Sequence, residues 1–184
     1  MKLAEVYKKS LKRKWLIRLK TKHPDGDCYD GIILKETESF IIIAAELDFE
    51  FDGILILAKK YIKGYRDAKF EKCGNEIIRF NGQLKKIKLP SWLNQCNKME
   101  DVFREIKRHD IWPLVEILFN KNKESAFYMG SITGGNIKEF GIRSYDATGK
   151  WEKEYILNYD EVLRIGFHDK YSTNFNNFMK RKHA

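Results

Sequence analysis

The second half of this 184-residue chain repeats the first half at an offset close to one hundred residues. The glycine of residues 128–132 (YMGSI) lies 99 positions after the glycine of residues 29–33 (YDGII). Two further pairs of segments match at an offset of 100, in the same order along the chain. Ordered matches near one offset are typical of a tandem duplication, and two unrelated β-rich halves are the alternative interpretation. The further pairs are 40–42 (FII) with 140–142 (FGI) and 60–65 (KYIKGY) with 160–165 (DEVLRI).

Each half begins with a helical pattern and continues with strand patterns. Apolar residues at three- and four-residue spacing predict a short helix from Leu3 to Leu11 and another from Met99 to Lys107. The period then changes to two, from Trp15 onwards in the first half, and a strand is expected at Ile111–Phe119 in the second. In the first half the predicted strands are 15–20, 29–35, 40–47, 54–57 and 62–66, with a one-turn connector at 59–61.

The size of each half constrains how these strands can pack. Five short strands and a helix amount to about 60 residues, which bury a core only if the sheet bends strongly and closes. We therefore predict a mainly β fold with a minor α+β component: two tandem SH3-like or Sm-like five-stranded barrels, each preceded by a short α-helix. The N-terminal unit, residues 1–88, carries an extra hairpin, because Asn81-Gly82 separates two strand-like segments at 76–80 and 83–88. The C-terminal unit is residues 89–184.

The order of elements in each half resembles the Sm-like (LSm) fold, over residues 11–67 and 110–167. The resemblance covers a glycine and an apolar residue in the second strand of each half, and an apolar pair in its fifth strand. It implies a small barrel for each half. The matching residues are Gly31, Ile33, Ile62 and Tyr65, followed by Gly130, Ile132, Val162 and Ile165.

The residues that the Sm-like family uses to bind RNA are not retained. In that family an Asp and an Asn follow the glycine of the second strand, and Thr37 and Ile41 occupy those positions here. Asn136 lies near the Asp position in the second half without restoring the pair. The family's Arg-Gly after the fourth strand is replaced by Lys59-Lys60 and by Asn158-Tyr159. The resemblance thus implies the fold and not the binding of uridine-rich RNA.

The positive charge of the chain is concentrated at its N-terminus. Residues 1–22 carry nine lysines and arginines against Glu5, a net charge of +8, so the rest contributes only +1 to the total of +9. Such a patch attracts phosphate backbones or an anionic membrane surface, and a solvated helix face is the alternative. Tyr7 and Trp15 add stacking surface, or pack the helix onto its barrel. The candidate nucleic-acid-binding residues are Lys8, Lys9, Lys12, Arg13, Lys14 and Arg18.

No pattern in the sequence indicates an active site, a metal centre or a cofactor. With four histidines in the chain, His109-Asp110 and His168-Asp169 are interpreted as turn or cap residues. The glycines of residues 130–135 (GSITGG) are not followed by the Lys-Ser pair of a phosphate-binding loop, so a turn or bulge is expected. The alternating acids of residues 48–52 (DFEFD) read as a solvated hairpin tip rather than as paired catalytic carboxylates.

The spacing of the cysteines and the hydropathy of the sequence predict a protein of a reducing compartment. Cys28, Cys73 and Cys96 are odd in number and widely spaced, which favours free thiols over a disulfide framework. The longest apolar run, 40–45, is of strand length, so neither membrane insertion nor a secretory signal is expected. We expect a cytoplasmic protein.

Two functional hypotheses follow from these observations. The first is a non-catalytic adaptor that binds nucleic acid, as RNA or as another single strand, through the basic N-terminus. The alternative is a protein–protein or assembly module in which exposed barrel edge strands join to a partner, including a second copy of the chain.

Overall fold

The computed structural model describes residues 3–119 and 124–182 of the chain. The fold is mainly β, with four α-helices and ten strands among these residues. In chain order the elements are α1 (Leu3–Arg13), β1 (Leu16–Thr21), β2 (Cys28–Glu36), β3 (Phe40–Leu47), β4 (Glu50–Ala58), β5 (Ile62–Arg66), α2 (Lys69–Phe80), α3 (Met99–Arg108), β6 (Leu114–Phe119), β7 (Glu124–Gly135), β8 (Glu139–Tyr145), β9 (Trp151–Asn158), β10 (Val162–Phe167) and α4 (Lys170–Lys182).

The strands form one antiparallel sheet of ten, in the order β5-β1-β2-β3-β4-β10-β6-β7-β8-β9. Each half therefore has the same neighbour order, in which its last strand precedes its first, second, third and fourth strands. Each half also begins and ends with a helix, and its fourth and fifth strands are joined by a 3-10 turn, at Lys59–Tyr61 and at Tyr159–Glu161. These two turns are 100 residues apart, as the sequence repeat predicts.

The sheet is open, which differs from the two closed barrels predicted from the sequence. β4 does not close on the last strand of its own half; it pairs with β10, the last strand of the other half, from Leu57↔Arg164 to Ile54↔Phe167. The open edge of β4 is thereby covered, and β5 and β9 are the outer strands of the whole sheet. We call the β4–β10 pairing the junction.

The first half buries both faces of its strands. On one face, α1 places Val6 and Tyr7 against a cluster that includes Ile17, Ile33 and Ile43. On the other, Ile78 and Ile87 pack against Leu16, Ile32 and Ala44. Because both faces are covered, every residue from 40 to 45 is buried, which accounts for the long apolar run in the sequence.

A third cluster crosses from one half to the other. Val102, Phe103 and Ile106 of α3 pack with Phe40 and Ile42 of the first half, and with apolar residues of β6, β8 and β10. The core is therefore continuous across the junction. The unit boundary predicted between residues 88 and 89 falls in the connection between α2 and α3.

The hairpin predicted at residues 76–88 is wrong, because this segment contains the end of α2 and a 3-10 turn at Gln83–Lys85. Glu71, Gly74, Asn75 and Ile78 are buried on one side of the helix, at helical spacing. Gly82 adopts a left-handed φ of 66°, which ends the helix instead of forming a hairpin turn. No helix among the described residues is long and apolar enough to cross a membrane.

The repeated glycine of the second strands has the same structural role in both halves. Gly31 pairs with Ala45 and Gly130 with Ser144 on the following strand. A Cβ at Gly31 would lie 2.5 Å from the carbonyl oxygen of Ala44, and one at Gly130 would meet the carbonyl of Arg143. Only glycine allows the two backbones to approach this closely.

Replacing Gly31 by alanine is expected to lower the free energy of unfolding by about 1–3 kcal/mol, because a rigid backbone carbonyl must move to admit the methyl group. Urea denaturation measures the change. Gly64→Ala is the matched control, since a Cβ there has nothing within 4 Å; its effect should stay within about 0.5 kcal/mol. Equal stability of Gly31→Ala and the unsubstituted protein would contradict this account of the close approach.

Candidate nucleic-acid interface

The helix α1 separates apolar and cationic residues onto two faces. Val6, Tyr7 and Ser10 are buried against the sheet, while Lys8 and Lys12, one turn apart, are exposed on the opposite side. The amphipathic pattern that forms the helix therefore also turns its lysines toward solvent.

The end of α1 is fixed by a turn centred on Ser10. The Ser10 hydroxyl donates to the carbonyl of Trp15 at 2.6 Å and accepts the amide N–H of Ile33 at 3.0 Å. Lys14 adopts a left-handed φ of 49°, which stops the helix and leaves its side chain exposed. Arg13 and Lys14 thus project from a rigid corner rather than from a loose terminus.

Two of the six candidate residues are engaged in ion pairs. Lys9 Nζ lies 2.7 Å from Asp67 Oδ2 and 4.7 Å from the centre of the Trp15 ring. Burial of Asp67 opposes its ionisation, but hydrogen bonds from Lys9 and from the Trp15 indole keep the pKa of this carboxyl below its usual range. Arg18 donates through Nε, at 2.7 Å, and through Nη2 to the carboxylate of Asp30. The structure therefore places Lys9 and Arg18 in the packing of the first half.

The helix α2, which the sequence analysis missed, brings a further cation to the end of α1. Asn75 is buried and holds the backbone of Leu16 by accepting its N–H at 2.9 Å and donating to its carbonyl. One turn later, Arg79 Nη2 donates to the carbonyl of Arg13 at 3.0 Å. The spacing of Glu71, Gly74, Asn75 and Ile78 is the signal that would have identified this helix.

We call the five exposed cations that meet at this end of the first half the basic surface. None of them forms an ion pair within residues 3–119 and 124–182. Four of the six residues singled out from the sequence are included, together with one that was not. The members are Lys8, Lys12, Arg13, Lys14 and Arg79.

A second group of polar residues is buried where the two halves meet. Glu116 of β6 is fully buried, and its Oε2 accepts from Arg164 Nε at 2.6 Å and from the Tyr29 hydroxyl at 3.3 Å. Its Oε1 lies 2.8 Å from Nε2 of His23, which belongs to the turn between β1 and β2. Burial raises the pKa of the Tyr29 phenol, so this group keeps the proton that it donates.

The same group contains three potential metal ligands, His23, Asp27 and Glu116, with one ligand atom of each within 4.8 Å of the others. The hydrogen bonds argue for a different role. His23 Nδ1 accepts the N–H of Asp25 at 3.1 Å, which assigns the ring proton to Nε2, and Nε2 is hydrogen-bonded to Ser125 Oγ at 3.1 Å. Glu116 Oε1 is close to Nε2 but accepts no hydrogen bond among the described residues. A metal on Nε2 would displace that proton and add a cation beside Arg164. We interpret the group as a hydrogen-bonded ion cluster that ties the first half to the second.

The Glu116→Ala variant is expected to unfold with a free energy about 3–5 kcal/mol lower, because it leaves the partly buried Arg164 without its carboxylate. Glu116→Gln, which keeps the shape and one acceptor, should lose less. Glu76→Ala, at an exposed acid, is the control and should change the free energy by no more than about 0.5 kcal/mol. Chemical denaturation measures all three, and a Glu116→Ala variant as stable as the control would exclude the proposed role of the cluster.

The remaining features singled out in the sequence have structural contacts. Asp169 Oδ1 accepts the N–H of Ser172 at 2.7 Å at the start of α4, and Asp110 pairs with Lys180 at 2.9 Å. Of the acidic segment at 48–52, Asp48 and Phe49 form the turn between β3 and β4, while residues 50–52 begin β4. Cys28, Cys73 and Cys96 are free thiols.

No family model, curated protein or solved structure matches this chain. The interpretation of the basic surface therefore depends on the contacts, burial and charge of its own residues.

Proposed function

We propose that the protein is a non-catalytic module that binds nucleic acid through the basic surface. The observation that supports this most strongly is the contrast within one segment. Lys9 and Arg18 have carboxylates at hydrogen-bonding distance, while Lys8, Lys12, Arg13 and Lys14 have none among the described residues. An anionic partner supplies the missing counter-charges.

The fold itself does not require a basic opening helix. The equivalent helix of the second half, α3, buries Val102, Phe103 and Ile106 in the same manner and has three cations against three acids. In contrast, α1 has four cations against Glu5 alone. Lys8 and Lys12, at i and i+4, also repel one another, which costs an isolated helix about 0.2–0.5 kcal/mol. Lys12 and Arg13, in the last turn, interact favourably with the helix dipole, but packing of α1 does not require Lys8 or Lys14, and the excess charge favours an anionic ligand.

The chemistry of the five cations suits phosphate. Lysine ammonium groups act as point charges, while the Arg13 and Arg79 guanidinium groups present forked donors to phosphate oxygens. Because the rest of the chain is nearly neutral, the field is concentrated at one end and orients a polyanion there.

Reversal of Lys12, Arg13 and Lys14 to glutamate is expected to abolish binding of a fluorescently labelled oligonucleotide, measured by anisotropy at about 50 mM salt. The matched control reverses Lys138, Lys150 and Lys153, three exposed cations of the second half that form no ion pair in the part of the chain that the structure describes. If three to five phosphates are contacted, the logarithm of the affinity should fall with that of salt concentration with a slope of about −2 to −3.5.

Glutamates at the end of α1 oppose its helix dipole, so circular dichroism must show that the triple variant is folded. A variant with glutamine at the same three positions should weaken nucleic-acid binding without an unfavourable interaction with the helix dipole. Equal binding by the triple variant and its control, or no binding by the unsubstituted protein at low salt, would contradict the proposal.

A second candidate function, assembly through edge strands, is favoured by the junction. In the order of the two halves, β9 is the equivalent of β4, and β5 is the equivalent of β10. A pairing of β9 in one molecule with β5 in another would therefore repeat the junction. In one molecule both are outer strands of the sheet. A β9–β5 contact between two copies is head-to-tail, and such contacts give rings when the rotation closes and chains when it does not.

Equivalent residues of the two halves differ in burial as this contact predicts. Ile56 of β4 pairs with Ile165 and is fully buried, while Ile156 of β9, 100 positions later, is 61% exposed. Transferring the register of the junction by 100 residues places Ile156 opposite Tyr65 of a second copy.

For this candidate, light scattering at two protein concentrations is expected to give a mass that rises above the 21.8 kDa of one chain. Ile156→Lys should restore the single-chain mass by placing a charge in the contact. Ile137→Lys is the control, since Ile137 is 80% exposed but lies in the turn between β7 and β8. A constant single-chain mass for the unsubstituted protein would reject assembly.

A further inference from the structure

An aromatic ring stands beside the basic surface. Phe80, the last residue of α2, is 92% exposed, the largest exposed fraction of any large apolar side chain among the described residues. Its ring contacts no other aromatic ring or cation within residues 3–119 and 124–182. It follows Arg79, whose guanidinium is bonded to the backbone of Arg13.

The position of Phe80 is fixed although its ring is free. The helix is anchored by the fully buried Ile78 and by the contacts of Asn75 with Leu16. It ends immediately afterwards, because Gly82 is left-handed and its N–H bonds to the carbonyl of Arg79. An aromatic side chain on a fixed backbone has only two torsions to order, so it loses little conformational entropy when a ligand covers it.

The sequence that follows the ring is cationic, while Glu76, one turn earlier on α2, is an exposed acid. Residues 77–99 contain five lysines and arginines and no acidic residue. Three of the lysines, Lys85, Lys86 and Lys88, are exposed in the segment that follows Phe80, and none forms an ion pair within the described part of the chain. Arg79 before the ring and the lysines after it in the sequence give the alternation of charge and stacking surface that single-stranded nucleic acid uses.

The apolar area is too small for a protein partner and suits one base. Among its neighbours in the sequence, Arg79 and Asn81 are polar and exposed and Ile77 is half-buried, so Phe80 is the one exposed apolar side chain of residues 77–82. Protein-binding apolar patches extend over about several hundred square ångströms. A nucleobase matches one ring in area, and its π-face is accessible only when the base is unpaired.

We infer that this end of the molecule prefers single-stranded over double-stranded nucleic acid, with one unpaired base stacked on Phe80 and the flanking phosphates on Arg79, Arg13 and the lysines after the helix. This inference rests on the proposed nucleic-acid-binding function and adds the class of nucleic acid. It also identifies Phe80 as a specificity-determining residue that the charge pattern alone does not reveal.

The test compares Phe80→Ala and Phe80→Trp in the full-length protein, with an oligothymidylate of about 12 nucleotides and a duplex of the same length as probes. Phe80→Ala is expected to weaken oligothymidylate binding about 5- to 100-fold, and duplex binding by less than about 2-fold. Phe80→Trp should retain or strengthen the single-strand affinity, because the larger ring still stacks. Ile137→Ala, at the other highly exposed apolar residue, is the matched control and should change neither affinity.

The outcomes separate this inference from the function on which it rests. If the Lys12, Arg13 and Lys14 reversal abolishes binding but Phe80→Ala weakens neither probe, or weakens both equally, the stacking role is overturned and the proposed function stands. Absence of binding to both probes overturns both. If Phe80→Ala instead weakens attachment to phosphatidylserine vesicles while leaving oligothymidylate binding intact, the surface binds membranes and the inference is also overturned.

Discussion

The pairing of β4 with β10 is the contact on which the rest of this structure depends. It covers the open edge of β4, and by doing so it merges ten strands into one sheet and two half-cores into one. Contacts at both ends reinforce it. At one end the Tyr61 hydroxyl donates to the carbonyl of Asp160 at 2.8 Å, and at the other Asp52 accepts the N–H of Lys170 at 2.8 Å. The buried Glu116 cluster depends on the same contact, because Tyr29 and His23 approach Glu116 only when the halves are joined.

The junction also decides which surfaces remain for partners. The β4–β10 pairing is formed within the chain, whereas the equivalent strands β9 and β5 are not paired with each other. They lie at opposite ends of the sheet. The basic surface lies at the β5 end, because α1 and α2 flank β1, the neighbour of β5, and Asp67, directly after β5, holds Lys9. Nucleic-acid binding and assembly would therefore involve adjacent parts of the first half, and assembly would bring the β9 edge of one copy near the basic surface of the next.

Local pattern predicted several strands correctly, and it did not predict which strands pair over long range. β3 and β5 have the predicted bounds, because burial on both faces of β3 and the 3-10 turn before β5 leave clear signals in a few residues. The hairpin predicted at 76–88 was wrong because the glycine of Asn-Gly adopts a left-handed conformation, which ends a helix as readily as it turns a hairpin. The prediction of two closed barrels was wrong for a different reason. Whether β4 pairs with β5 or β10 is a competition between two strands far apart in the sequence, and no short segment of β4 encodes its outcome.

The same distinction between local and long-range information applies to the candidate site. The excess of cations near the N-terminus is visible in the sequence, but which of them are free depends on acids that the fold brings close: Asp67 is 58 positions from Lys9. The duplication helps at this point, because each half shows what the shared architecture requires. α3 packs without excess charge, and the end of α4, equivalent to the end of α2, engages Lys180 with Asp110 and with the Trp112 ring. Arg79 and Phe80 have no such acidic or aromatic partner among the described residues, so their exposure is a property of this half rather than of the fold. Because both halves share one architecture, the packing of that architecture does not explain a side chain that is exposed in one half and engaged in the other. The basic surface and Phe80 are such differences.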